Sequence, residues 1–114
     1  MRTLFIALFW FAVLATLYVT LRPITVTVPG SDKTQHAITF GVLMGLAGLA
    51  YARTHLLKLA VALSAFGALI ELVQPYFGRS RDVRDWIADS IGIAVVLVLL
   101  WAWRRWTSVR PQRG

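Results

Sequence analysis

Leu59-Ala-Val-Ala-Leu-Ser-Ala-Phe-Gly-Ala-Leu-Ile-Glu71-Leu-Val-Gln-Pro-Tyr-Phe77 is the stretch on which the fold turns. It falls within the roughly 17–25 residues that carry a helix across a hydrocarbon core. Its one charge is Glu71. Away from water a run like this satisfies its backbone only as a helix. Three runs of the same character lie outward from it, Ala37–Ala52 and Thr3–Leu21 before it and Trp86–Trp103 after it. What remains is short: Arg22–Gln35, Arg53–Lys58, Gly78–Asp85 and the tail Arg104–Gly114. The chain therefore reads as all-α, an integral membrane four-transmembrane-helix bundle forming a single domain over 1–114. Helices are expected at about 3–21, 34–52, 57–77 and 85–104. Arg2 ahead of the first run resembles a secretory leader, but no small-x-small cleavage site follows and Arg22-Pro23 closes it, so a retained helix is expected. The first connector, with Pro23, Pro29, Gly30 and the Thr/Val alternation of Ile24–Val28, reads as extended.

Composition agrees. Hydrophobic residues are 58% and charged residues 15% of the 114, with a mean hydropathy of +0.67, which leaves too little polar surface for a water-soluble domain. Without cysteine there is no disulfide scaffold, Cys-based zinc site or thiol nucleophile. The net charge of +7 comes from twelve Lys and Arg scattered singly or in pairs between apolar blocks, which suits membrane flanks and argues against nucleic acid. Four spans put both termini and the Arg53–Lys58 loop on one side. Arg2, Arg53, Lys58, Arg104, Arg105, Arg110 and Arg113 fall there, against Arg22, Lys33, Arg79, Arg81 and Arg84 opposite. The bias predicts a multi-pass membrane protein with both termini cytoplasmic. Tyr51, Trp103 and Trp106 would form one interfacial aromatic belt, and Tyr18, Tyr76 and Trp86 the other.

The five carboxylates, Asp32, Glu71, Asp82, Asp85 and Asp89, all fall on the side away from the termini. At ~1.5 Å per residue, Glu71 lies ~9 Å inside the Phe77 end of its helix and Asp89 ~4.5 Å inside Trp86. His36 opens the second helix at the same level. Asp82, Asp85, Asp89 and Gly92 share one helical face, and Ser64, Gly67, Glu71 and Gln74 share another. Gly41, Gly45 and Gly48 mark the second helix for close packing. Pro75 cannot donate to the carbonyl of Glu71, which leaves that carbonyl beside the carboxylate. Asp32 with Gln35, and Asp82 with Asp85, are also placed as helix caps. Ionisable side chains within a span are costly and mark functional sites or internal pairs, which singles out Glu71 and Asp89.

Asp32-Lys33-Thr-Gln-His36 opening one helix, Glu71-Leu-Val-Gln74 closing the next, and Arg79-Ser-Arg-Asp82-Val-Arg-Asp85-Trp-Ile-Ala-Asp89-Ser-Ile-Gly92 entering the last resemble the VanZ-like family. Its pattern is DKxxH, ExxQ and RxxDxxDxxxNxxG, in that order, on a small four-span membrane protein. The likeness runs from Asp32 to Gly92 and departs from the pattern at Asp89, where the family more often has Asn. It implies an envelope protein connected with glycopeptide resistance, teicoplanin in particular. Some relatives carry a phosphotransbutyrylase label, but no Gly-rich phosphate cradle is present here.

Two functions follow as expectations. In the first, an outward-facing polar pocket binds a membrane lipid head group, a lipid-linked cell-wall precursor or another membrane protein. Asp32, Lys33, His36, Glu71, Gln74, Arg79, Asp82, Asp85 and Asp89 would form this pocket, with the basic residues meeting phosphate. In the second, a membrane-embedded enzyme acts on an envelope lipid, with His36, Glu71 and Asp85 as catalytic candidates. One His and several carboxylates are compatible with a divalent cation, although no HxxxH or HExxH pair fixes one. A further expectation is that Arg79 or a bound cation compensates the acids.

Overall fold

The computed structural model describes residues 2–21, 32–77 and 83–109. The Ile24–Val28 connector, Arg79 and Asp82 lie outside them, as do the side chains of Asp32, Ser108 and Val109. In chain order the elements are α1 (Arg2–Leu21), α2 (Asp32–Ala50), α3 (Leu56–Val73), a 3-10 turn (Gln74–Phe77) and α4 (Val83–Val109). No strand occurs among the described residues.

The helix bodies follow the apolar runs, and their ends follow local chemistry. α2 stops at Ala50, two residues short of the expected boundary. The Tyr51 N–H still reaches the Ala47 carbonyl at 2.8 Å, and the Thr54 N–H then closes a turn on Tyr51 at 3.0 Å. His55, in extended conformation, caps α3 by accepting the Leu57 N–H on its Nδ1 at 3.2 Å. α3 ends at Val73 because Pro75 lacks the N–H that would continue it, and Gln74–Phe77 finish as a tighter turn. α4, Val83–Val109, starts close to the expected boundary and runs past the expected end at 104, over 27 residues.

The helices run up, down, up, down. Trp10 of α1 donates to Tyr51 beyond the end of α2 at 2.8 Å, and Gln74 after α3 donates to the Thr20 carbonyl of α1 at 3.1 Å. α2 and α4 are parallel, since His36 meets Asp89, Gly41 faces Gly92 and Val96, and Gly48 faces Leu100. α2 is the central helix, packed on α1, α3 and α4, whereas α1 and α4 do not pack on each other among the described residues. Its Phe40, Leu43, Met44, Ala47 and Ala50 make the middle of the core, with Phe9 and Val13 from α1, Leu63 and Ile70 from α3, and Ile93 from α4. Gly92 lets α2 and α4 touch along their backbones: a Cβ there would overlap the Ala37 carbonyl.

The outside of the bundle is apolar. Phe11, Leu14, Val61, Leu69, Ile91, Val95, Val98 and Leu99 are all exposed, apolar surface that water does not favour. α1, α3 with its 3-10 extension, and α4 are each long and apolar enough to cross a membrane. α2 is not counted with them: it opens with Asp32, Lys33, Thr34, Gln35 and His36, so its apolar length is only Ala37–Ala50.

Candidate functional site

The polar residues gather at the end of the bundle where α1 and α3 finish and α2 and α4 begin. Lys33 and His36 stand one turn apart at the start of α2, and Asp85 and Asp89 one turn apart at the start of α4. Because these two helices are parallel and glycine-tight, the two pairs face each other. His36 Nδ1 lies 2.8 Å from Asp89 Oδ1, and its Nε2 lies 3.8 Å from Asp85 Oδ2. Lys33 Nζ donates to Asp85 Oδ1 at 3.1 Å. The result is a ladder that alternates Lys, Asp, His, Asp from the mouth inward.

Burial deepens along that ladder. The Lys33 side chain is 43% exposed, that of Asp85 only 9%, and Asp89 as a residue 2%. An ionised carboxylate this deep is tolerated only with hydrogen bonds and opposite charge at hand, which the imidazole and the ammonium supply. α3 contributes space. A Cβ on Gly67 would stand 2.9 Å from Asp89 Oδ2 and 3.4 Å from the Phe40 ring, so only glycine leaves the carboxylate its place. Beside it, Ser64 and Ser90 share a hydrogen bond of 3.0 Å, and Trp86 Nε1 donates to the Ser64 carbonyl at 3.0 Å, fastening α3 to α4.

Glu71 and Gln74 follow Gly67 on the same face of α3 and are both buried, at 5% and 1% exposure. Gln74 gives its Nε2 to the Thr20 carbonyl, which fixes the amide. Its Oε1 is then an enclosed acceptor with no hydrogen-bond partner among the described residues.

Lys33, His36, Asp85 and Asp89 are thus brought into one cluster. Glu71 and Gln74 are brought to the same end of the bundle, with Gln74 turned to α1 rather than into the ladder. Arg79, Asp82 and the Asp32 side chain fall outside the described residues, and with them the expectation that Arg79 compensates the acids. Asp85, in the first turn of α4, also accepts from Lys33. Among the described residues no group of three His, Asp or Glu side chains is arranged to hold a metal ion. Two open hollows on the surface, of about 550 Å³ along His55–Ala62 and about 200 Å³ between Ser64 and Ser90, are lined by other residues.

Sequence reasoning missed what three residues do. Gly67 gave only the signal of a small residue one turn before Glu71. Thr20 gave none, because its backbone carbonyl is what acts. Arg104 looked like a flanking charge, yet it donates to the carbonyls of Thr54 at 3.0 Å and Gly48 at 3.1 Å, closing the C-terminal end of α2. Comparison of the chain with protein-family models, with curated proteins and with solved structures finds no match in any of the three.

Proposed function

We propose that the chain is a four-span integral protein of the bacterial cytoplasmic membrane, VanZ-like, whose polar end faces outward. There it binds the phosphate-bearing head group of a lipid or lipid-linked cell-wall precursor, and through this it alters glycopeptide (teicoplanin) susceptibility. Three apolar helices carry the membrane reading, and the parallel course of α2 beside α4 takes α2 through the same thickness, its short apolar length sheltered by its neighbours. The observation that carries the binding reading is the ladder itself: buried acids and a histidine at one end of an otherwise oily bundle, with the half-exposed Lys33 ammonium at their mouth. Ionisable groups held at that cost mark a site, and a cation at head-group depth meets lipid phosphate.

Native mass spectrometry of detergent-extracted protein tests this. The wild-type protein should retain phosphate-bearing lipid, and Lys33→Ala should retain markedly less. Equal retention by both, or none by either, would refute the reading.

A further inference from the structure

We infer that the end of the bundle opposite the ladder carries a lipid site of its own: the hollow at the start of α3 takes an anionic phospholipid, with its phosphate on Lys58 and His55 and one acyl chain along Val61. The inference goes beyond the head-group reading of the ladder and shares with it only the membrane-spanning reading.

The order of chemistry along α3 is the order within a lipid. The apolar span runs Leu56–Phe77, so Lys58 stands in its first turn, at the depth where a cation meets lipid phosphate. One turn further in, Val61 and Ala62 are apolar and exposed. Together with His55, Leu57 and Lys58 they line one hollow of about 550 Å³, a volume within the roughly 300–1,000 Å³ of small-molecule sites. Val61 also lines the second hollow, of about 200 Å³, where Ser64 and Ser90 meet between α3 and α4. A chain that follows Val61 inward is thus led toward the α3–α4 seam. Both hollows are open, and in a bilayer the neighbouring acyl chains cover the side that the protein leaves bare.

The positive charge at this end has no internal answer. The carboxylates among the described side chains are Glu71, Asp85 and Asp89, and all stand at the other end of the bundle. Lys58 is exposed and makes no ion pair among the described residues. Arg53 is exposed in the turn before α3, and Arg104 reaches that same turn at the Thr54 carbonyl. His55 adds a directed donor. Its Nδ1 accepts the Leu57 N–H, so the ring proton is on Nε2. Cations without an acid among them favour a lipid of net negative charge over a zwitterionic one, whose own ammonium they repel.

The test titrates detergent-extracted Lys33→Ala protein, which lacks the ammonium at the ladder's mouth, with phosphatidylglycerol or phosphatidylcholine and follows bound lipid by native mass spectrometry. Phosphatidylglycerol should bind with the lower Kd. Adding Lys58→Ala should raise that Kd about five-fold, the effect of one cation at a lipid surface, and Lys58→Arg should not. Adding Val61→Trp keeps every charge but fills the hollow, and should raise the Kd at least as far. Both positions are exposed, so thermal unfolding of these variants should match that of the parent. Equal Kd for the two lipids, no binding of phosphatidylglycerol, or an unchanged Kd in Lys58→Ala or in Val61→Trp would overturn the inference. Wild-type protein titrated alongside separates the two sites. Phosphatidylglycerol that binds the wild type but not Lys33→Ala lies at the ladder, which overturns this inference and leaves the head-group reading standing. Equal binding by those two, lost with Lys58→Ala, supports this site and refutes the one at the ladder.

Discussion

Gly67 has no side chain, and Asp89 occupies the room. A methyl group added there would meet a carboxylate oxygen at 2.9 Å that cannot retreat without breaking its bond to His36. Gly67→Ala should therefore destabilise the protein by about 1–3 kcal/mol, the usual range for overpacking, read as a lowered Tm in detergent. Unchanged stability would mean that the Asp89 carboxylate is not clamped. The ladder was partly legible in advance. Counting helical turns put Asp85 and Asp89 on one face and His36 at their depth. Counting could not reveal that Lys33 reaches Asp85 or that Gly67 backs Asp89, because both depend on how one helix slides past another, and no spacing within a single segment records that register.

At the scale of the helices, the α2–α4 seam makes a graded prediction. A Cβ on Gly92 would strike backbone, the Ala37 carbonyl, which yields only if the two helices separate. A Cβ on Gly45 would meet Val96 at 3.8 Å, an ordinary contact. Gly92→Ala should leave little folded protein, while Gly45→Ala should stay within about 0.5 kcal/mol of the parent, both read by thermal unfolding of extracted protein. Equal tolerance would deny that α2 and α4 touch along their backbones. Arg104 closes the far end of the same seam. Arg104→Ala gives up two charge-assisted bonds and should cost about 1.5 kcal/mol in the same assay. Arg104→Lys should not rescue it, since one ammonium cannot span both carbonyls. The four helices themselves were legible because each is a sustained apolar run. Their ends were not: the halt at Ala50, the His55 cap and the Arg104 closure are set by hydrogen bonds across tens of residues or by a single turn.

At the scale of the molecule, the polar ladder stands at one end of the bundle, while Arg2, the turn after Ala50 and the last turns of α4 stand at the other. Tyr76, 85% exposed beside the ladder's end, and Ala52, exposed at the opposite end, give a direct readout of orientation in a chain that has no cysteine of its own. An impermeant maleimide should label Tyr76→Cys in intact cells and Ala52→Cys only after lysis. The reverse result would place the ladder in the cytoplasm and end the outward-facing proposal. The central place of α2 reaches further, into how the protein is made. The ribosome delivers this helix second, yet its glycine seam and its histidine meet side chains of α4, the last of the four to emerge. Until then α2 has at most α1 and α3 for company and too short an oily stretch to rest stably among acyl chains. On the four-span proposal, insertion is then not complete span by span in the order of synthesis. A nascent chain halted after Phe77 should remain a substrate for membrane proteases, and the arrival of α4 should be the event that commits the whole bundle to the bilayer.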